Sequence, residues 1–113
     1  MKNFLNVLPV RVSSLSTTYV KCRISATENG LPANPTTGTV EFAFVPETED
    51  DNNTNPEDWF SGSWETATDG YWGKCLVGPD GTVELATGSY DVWVRVNKGL
   101  ESVVEHTGVL SIY

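Results

Sequence analysis

Tyr90-Asp91-Val92-Trp93-Val94-Arg95-Val96-Asn97 alternates apolar-core and outward side chains over eight positions. A period of two marks a half-buried β-strand, and no helical period fits the run. Tyr90, Val92, Val94 and Val96 fall on one face, and Asp91, Trp93, Arg95 and Asn97 on the other. The same reading extends outward from this strand. Val20, Cys22, Ile24 and Ala26 oppose Tyr19, Lys21, Arg23 and Ser25; Val40, Phe42 and Phe44 oppose Glu41 and Ala43; Val83 and Leu85 oppose Thr82 and Glu84. The pattern predicts strands over Leu5–Val12, Tyr19–Ala26, Thr39–Val45, Ser63–Ala67, Tyr71–Val77, Ser89–Asn97 and Val103–Ile112, with a short pair at Thr82–Leu85. Asn29-Gly30, Asn34-Pro35, Asp69-Gly70, Gly78-Pro79-Asp80-Gly81 and Lys98-Gly99 supply turn chemistry between them. Seven or eight short strands at this spacing predict an all-β chain, an antiparallel β-sandwich forming one domain over residues 1–113.

Composition narrows the field. The chain has 113 residues, 39% of them hydrophobic and 11% aromatic, which suits one real core rather than a disordered tail. Fifteen Asp and Glu against seven Lys and Arg give a net charge of −8. That field repels polyanions, so neither nucleic acid nor an acidic membrane surface is an expected partner. The charge is uneven. Glu47, Glu49, Asp50, Asp51, Glu57 and Asp58 fall in one twelve-residue stretch without a base, and removing those six leaves nine acids against seven bases. Asn6 and Arg11 interrupt the apolar N-terminal stretch, so it does not read as a secretory signal and a cytoplasmic product is expected.

Three side chains fit the core poorly. Trp93 lies on the outward side between Asp91 and Arg95, and Trp72 and Leu76 flank Lys74 if Cys75 and Val77 face in. Large apolar groups on an outer face mark contact surfaces when they gather. A partner interface of Trp72, Leu76, Trp93 and Arg95 is therefore expected, Trp and Arg being the types that dominate binding energy. The competing reading is that the chain's own segment Pro56–Phe60 covers them. A third reading takes Trp59, Trp64 and Trp72 as a flat platform for sugar rings.

Catalytic and metal chemistry find little support. His106, the sole histidine, stands between Glu105 and Thr107, and no serine sits in a nucleophile-elbow context. Two cysteines and one histidine without a CxxC do not supply a zinc site. Asp50-Asp51-Asn52-Asn53 is oxygen-rich but lacks the glycine and glutamate positions of a calcium hand, so a solvated or partner-facing loop is expected. No catalytic residue, metal or cofactor is expected. Cys22 and Cys75 both point inward; an inter-sheet disulfide is geometrically open, yet a cytoplasm keeps thiols reduced, and buried free thiols are the expectation.

Cys75-Leu-Val-Gly-Pro-Asp-Gly-Thr-Val-Glu-Leu85, Gly88-Ser-Tyr-Asp-Val-Trp-Val-Arg-Val96 and Gly108-Val-Leu-Ser-Ile112 carry a likeness, joined by Thr39-Val-Glu-Phe-Ala-Phe-Val-Pro46 and Trp59 with Ser63-Trp64. Over roughly residues 17–113 the chain resembles small immunoglobulin-like structural proteins of tailed bacteriophages, of the kind that siphophages of actinobacteria encode among their head and connector genes. The resemblance implies an immunoglobulin-like sandwich and a non-enzymatic virion component. It also implies docking on the major capsid protein or other virion proteins as a decoration subunit, with self-association in the particle as a further contact. Its expected address is the virion, assembled in the host bacterial cytoplasm. A head–tail connector or tail/baseplate adaptor is the first alternative, and a carbohydrate- or receptor-binding module the second.

Overall fold

The computed structural model describes residues 2–47 and 58–113. Among these the chain is all-β, with no α-helix. The strands are β1 (Lys2–Phe4), β2 (Arg11–Val12), β3 (Thr18–Glu28), β4 (Leu31–Ala33), β5 (Thr39–Pro46), β6 (Phe60–Ser61), β7 (Ser63–Ala67), β8 (Gly70–Val77), β9 (Gly88–Lys98) and β10 (Glu101–Ile112). They form two sheets. The first runs β1-β3-β8-β7, with β4 also paired to β3; the second runs β2-β10-β9-β5-β6. Only the β2–β10 pair is parallel among the named pairs.

The inner faces of both sheets contribute to one apolar core. Val20, Cys22 and Ile24 of β3, Phe42 of β5, Cys75 and Val77 of β8, the three valines of β9, and Leu110 are all buried there. Each large apolar side chain so buried contributes roughly 1.5–3 kcal/mol before entropy is counted. Gly73 leaves no room at the sheet interface, since an added Cβ would stand 2.9 Å from Val40 Cγ2 of the second sheet and 3.2 Å from Ile24 Cδ1 of its own. Phe42, Phe44 and Phe60 continue the core in a row, with ring centroids 6.3 and 6.4 Å apart. At the mouth of the core the Tyr90 hydroxyl donates to the Ala86 carbonyl at 2.7 Å, which lets a phenol occupy an apolar site.

Three expectations are corrected. Of the strand expected over Leu5–Val12 only Arg11–Val12 forms, as β2; β1 precedes it at Lys2–Phe4 on the other sheet, and Leu8 retains only an isolated bridge to Lys21. Pro9 lies between them and has no N–H to continue a ladder. Thr82–Leu85 reduces to a single bridge between Val83 and Val77. Ala43, on the outward side of β5, is nonetheless buried, with Trp93 in register beside it. In β10 the register shifts between His106 and Gly108, so Thr107 turns inward and its hydroxyl donates to the Val92 carbonyl at 3.2 Å. Such a bulge inserts one residue and re-aims the side chains beyond it.

Candidate docking faces

Pairing across the second sheet sets its outer face in rows. Glu41, Arg95 and Val104 form one; Ala43, Trp93 and His106 the next; Val45, Asp91 and Val109 the third. Arg95 is already engaged here. Its Nε donates to Glu41 Oε1 at 3.0 Å, and its guanidinium lies 4.2 Å over the Trp59 ring. Asn97 Nδ2 donates to the same carboxylate oxygen at 2.7 Å. Trp93 stands 5.3 Å from the His106 ring, and His106 Nε2 is 3.2 Å from Asp91 Oδ1. Val104 and Val109 on either side are each 41% exposed. The face thus has an aromatic and aliphatic centre, with Arg95 beside Glu41 at one side and His106 beside Asp91 at the other.

The first sheet presents a different outer face. Tyr19 lies opposite Leu76, Lys21 opposite Lys74, and Arg23 opposite Trp72, with Glu65 of β7 beyond Trp72. Lys21 Nζ donates to both Glu65 oxygens at 3.1 Å, and Lys74 Nζ lies 3.5 Å from Oε1 of the same carboxylate. The hydrogen bond from Lys21, aided by the charge of both lysines, holds the Glu65 carboxyl below its ordinary value. Lys74 also sits 4.4 Å over the Tyr19 ring. Trp72 is fixed by its indole N–H, which donates to Asp69 Oδ1 at 3.0 Å.

The four expected interface residues therefore do not form one surface. Trp72 and Leu76 turn outward from the first sheet, Trp93 and Arg95 from the second, and the shared core lies between them. One partner surface cannot cover all four. Of the segment expected to cover the outward tryptophans and Leu76, Trp59 lies over Arg95 and Phe60 packs against the core, while residues 56 and 57 lie outside the described residues. The sugar platform does not form. Trp59 is on the second sheet's outer side, Trp64 packs inward with its indole N–H on the Gly38 carbonyl at 2.9 Å, and Trp72 faces out from the first sheet.

Cys22 and Cys75 are both free and buried. They occupy neighbouring strands of the same sheet, Cys75 opposite Val20 and Cys22 opposite Gly73, so an inter-sheet bridge between them has no geometry to use. Burial pushes the Cys22 thiol up to about 12 and the Cys75 thiol to about 11. The Cys22 thiol donates to the Leu5 carbonyl at 3.0 Å. Among the described residues no group of His, Cys, Asp and Glu is arranged to hold a metal ion. The oxygen-rich run at 50–53 lies outside the described residues.

Sequence reasoning missed Glu41 as the counter-ion of Arg95 and His106 as the support of Trp93. Their outward positions were legible in the alternation, but the register that brings them together was not. Comparison with protein-family models and with curated proteins finds no match.

Proposed function

We propose that this chain is a non-enzymatic structural subunit of a tailed-phage virion, built as an immunoglobulin-like sandwich, that docks on the capsid lattice through the Trp93 face. The strand order supports the fold half of this reading. Sheets of β1-β3-β8-β7 and β2-β10-β9-β5-β6 correspond to the A-B-E-D and extended G-F-C arrangements of immunoglobulin domains. The Tyr90 hydroxyl bond to a backbone carbonyl four residues upstream, at the start of β9, supports it as well, being similar to the tyrosine corner of immunoglobulin domains. The usual B–F disulfide has no counterpart, because Val92 stands on β9 where the second cysteine would be and Cys75 lies on β8.

Trp93 is the observation that carries the docking half. A half-buried indole held against His106, between two exposed valines and amid paired charges, is an anchor whose rotamer is already restricted. Filling a partner's pocket with it would cost little ordering entropy and would leave no new charge unpaired. The connector or adaptor reading has its own support, since outward tryptophans on two different sheets suit a subunit held between two partners. Quantitative mass spectrometry of purified virions separates the two. Hundreds of copies per particle identify a decoration subunit, a ring-sized number an adaptor, and absence from the particle removes both.

A further inference from the structure

The second sheet has an open edge along the first half of β10. That strand pairs with β9 along its length, whereas β2 meets it only at Ser111 and Ile112. Leu5 and Leu8 bond to Arg23 and Lys21 of the first sheet, and the Val7 N–H reaches across to the Thr107 carbonyl at 3.1 Å. Among the described residues no strand pairs with Glu101–His106 on the side away from β9. In an antiparallel ladder the backbone groups point alternately toward the neighbour and away from it. The two-residue turn Gly99-Leu100, with Gly99 at φ +61°, makes Lys98 and Glu101 the hydrogen-bonded pair that closes the hairpin. Ser102, Val104 and His106 therefore turn their N–H and C=O groups outward. Past the bulge the parity reverses, and the Ser111 N–H points out to the Val10 carbonyl.

We propose that this edge pairs antiparallel with the same edge of a second copy of the chain, about a twofold axis at Val104. Val104 is the middle one of the three outward-bonding residues. An axis there sets Val104 against the partner's Val104 and Ser102 against the partner's His106, for up to six backbone hydrogen bonds. The charges select this register. An axis at Val103 would oppose Glu101 to Glu105, and one at Glu105 would oppose that residue to itself; like charges directly opposite are destabilising. Val104 is 41% exposed, so the pairing also covers apolar surface. The partner's turn ends short of Val10, where the chain leading into β2 takes over the edge. Glu105 lies on the inward side, beside Val94, and the two Glu105 carboxylates would stand on a diagonal about 7–8 Å apart. Their repulsion keeps the pair weak, as an inward-pointing charge on an edge strand does. A symmetric contact of this kind closes at two copies. It joins two five-stranded sheets into one and sets the two Trp93 residues about 20 Å apart on a continuous outer face. The pairing does not depend on the virion reading.

Sedimentation equilibrium and residue-resolved amide hydrogen exchange of the full chain, from about 50 μM to about 1 mM, test the pairing. The mass is expected to rise to that of a dimer and no further. Over the same range exchange at the Ser102, Val104 and His106 amides slows about fivefold, while Val103 and Glu105, bonded to β9, are protected throughout. Val104→Pro removes the N–H on the axis at an edge position that accepts proline, and yields monomers. Val104→Lys, which sets two ammonium groups opposite each other, does the same if proline disturbs the fold. Glu105→Gln tightens the dimer about threefold. A monomer at about 1 mM overturns the proposal. So does association without new protection at those three amides, or association that survives both Val104 changes. Full protection in a chain that sediments as a monomer overturns it too, as the chain's own 48–57 segment lying on the edge would produce.

Discussion

At the residue scale, the two cysteines show how burial becomes pH dependence. A thiolate is poorly solvated in an apolar core, so folding raises both thiol pKa values, to about 12 and about 11. A group whose pKa is raised by folding stabilises the fold fully below its unfolded value, near 8.5, and that stability is lost as pH rises toward the folded value. The thermal midpoint should therefore fall between about pH 9 and pH 12, and less steeply in Cys22→Ala than in the parent. Native protein should resist alkylation at pH 8, with two thiols reacting once it is unfolded. Tyr90→Phe should be milder: it removes one hydrogen bond, to Ala86, an exposed residue whose carbonyl water can serve, so a loss near the low end of 0.5–1.5 kcal/mol is expected by chemical denaturation.

At the scale of elements, two glycines separate two kinds of constraint. Gly30 has φ +79° in the Asn29-Gly30 turn that joins β3 to β4, and an added Cβ there meets nothing. Gly30→Ala should cost about 1–2 kcal/mol through the backbone alone. Gly73→Ala should cost about 1–3 kcal/mol by crowding Val40 and Ile24 between the sheets. A double-mutant cycle distinguishes them, because Val40→Ala should relieve the Gly73 substitution and leave the Gly30 one unaffected. Local pattern made much of this legible. The Asn-Gly turn, the alternation in β3, β5 and β9, and the identity of the inward set all rest on neighbours in sequence. Sheet membership does not. Whether Trp72 and Trp93 share a face depends on which sheet β8 and β9 join, and alternation assigns a side chain to a side of its own strand only. Short elements escaped for a related reason: β4 carries Pro32, and β6 has two residues, too few to show a period.

At the scale of the whole molecule, the two outer faces differ in character. One is cationic with partly exposed leucine and tyrosine side chains beside it; the other centres on Trp93, with Arg95 beside Glu41 and His106 beside Asp91. A docking role for the second face makes a demand that a purely structural role does not, namely that attachment and stability separate. Trp93 is half-buried, and its removal uncovers Ala43 while leaving the core valines of β9 in place. Trp93→Ala should thus lower the thermal midpoint by a few degrees, the shift expected for about 1 kcal/mol in a domain of this size. The most direct measurement compares Trp93→Ala with the parent for attachment to virions assembled in the same host, scored by mass spectrometry of the purified particles beside the thermal midpoint of each free protein. The account predicts at least a tenfold loss of attached copies from a variant that remains folded at the temperature of assembly, about 1.4 kcal/mol or more of binding. A folded Trp93→Ala chain that attaches as the parent does would contradict it.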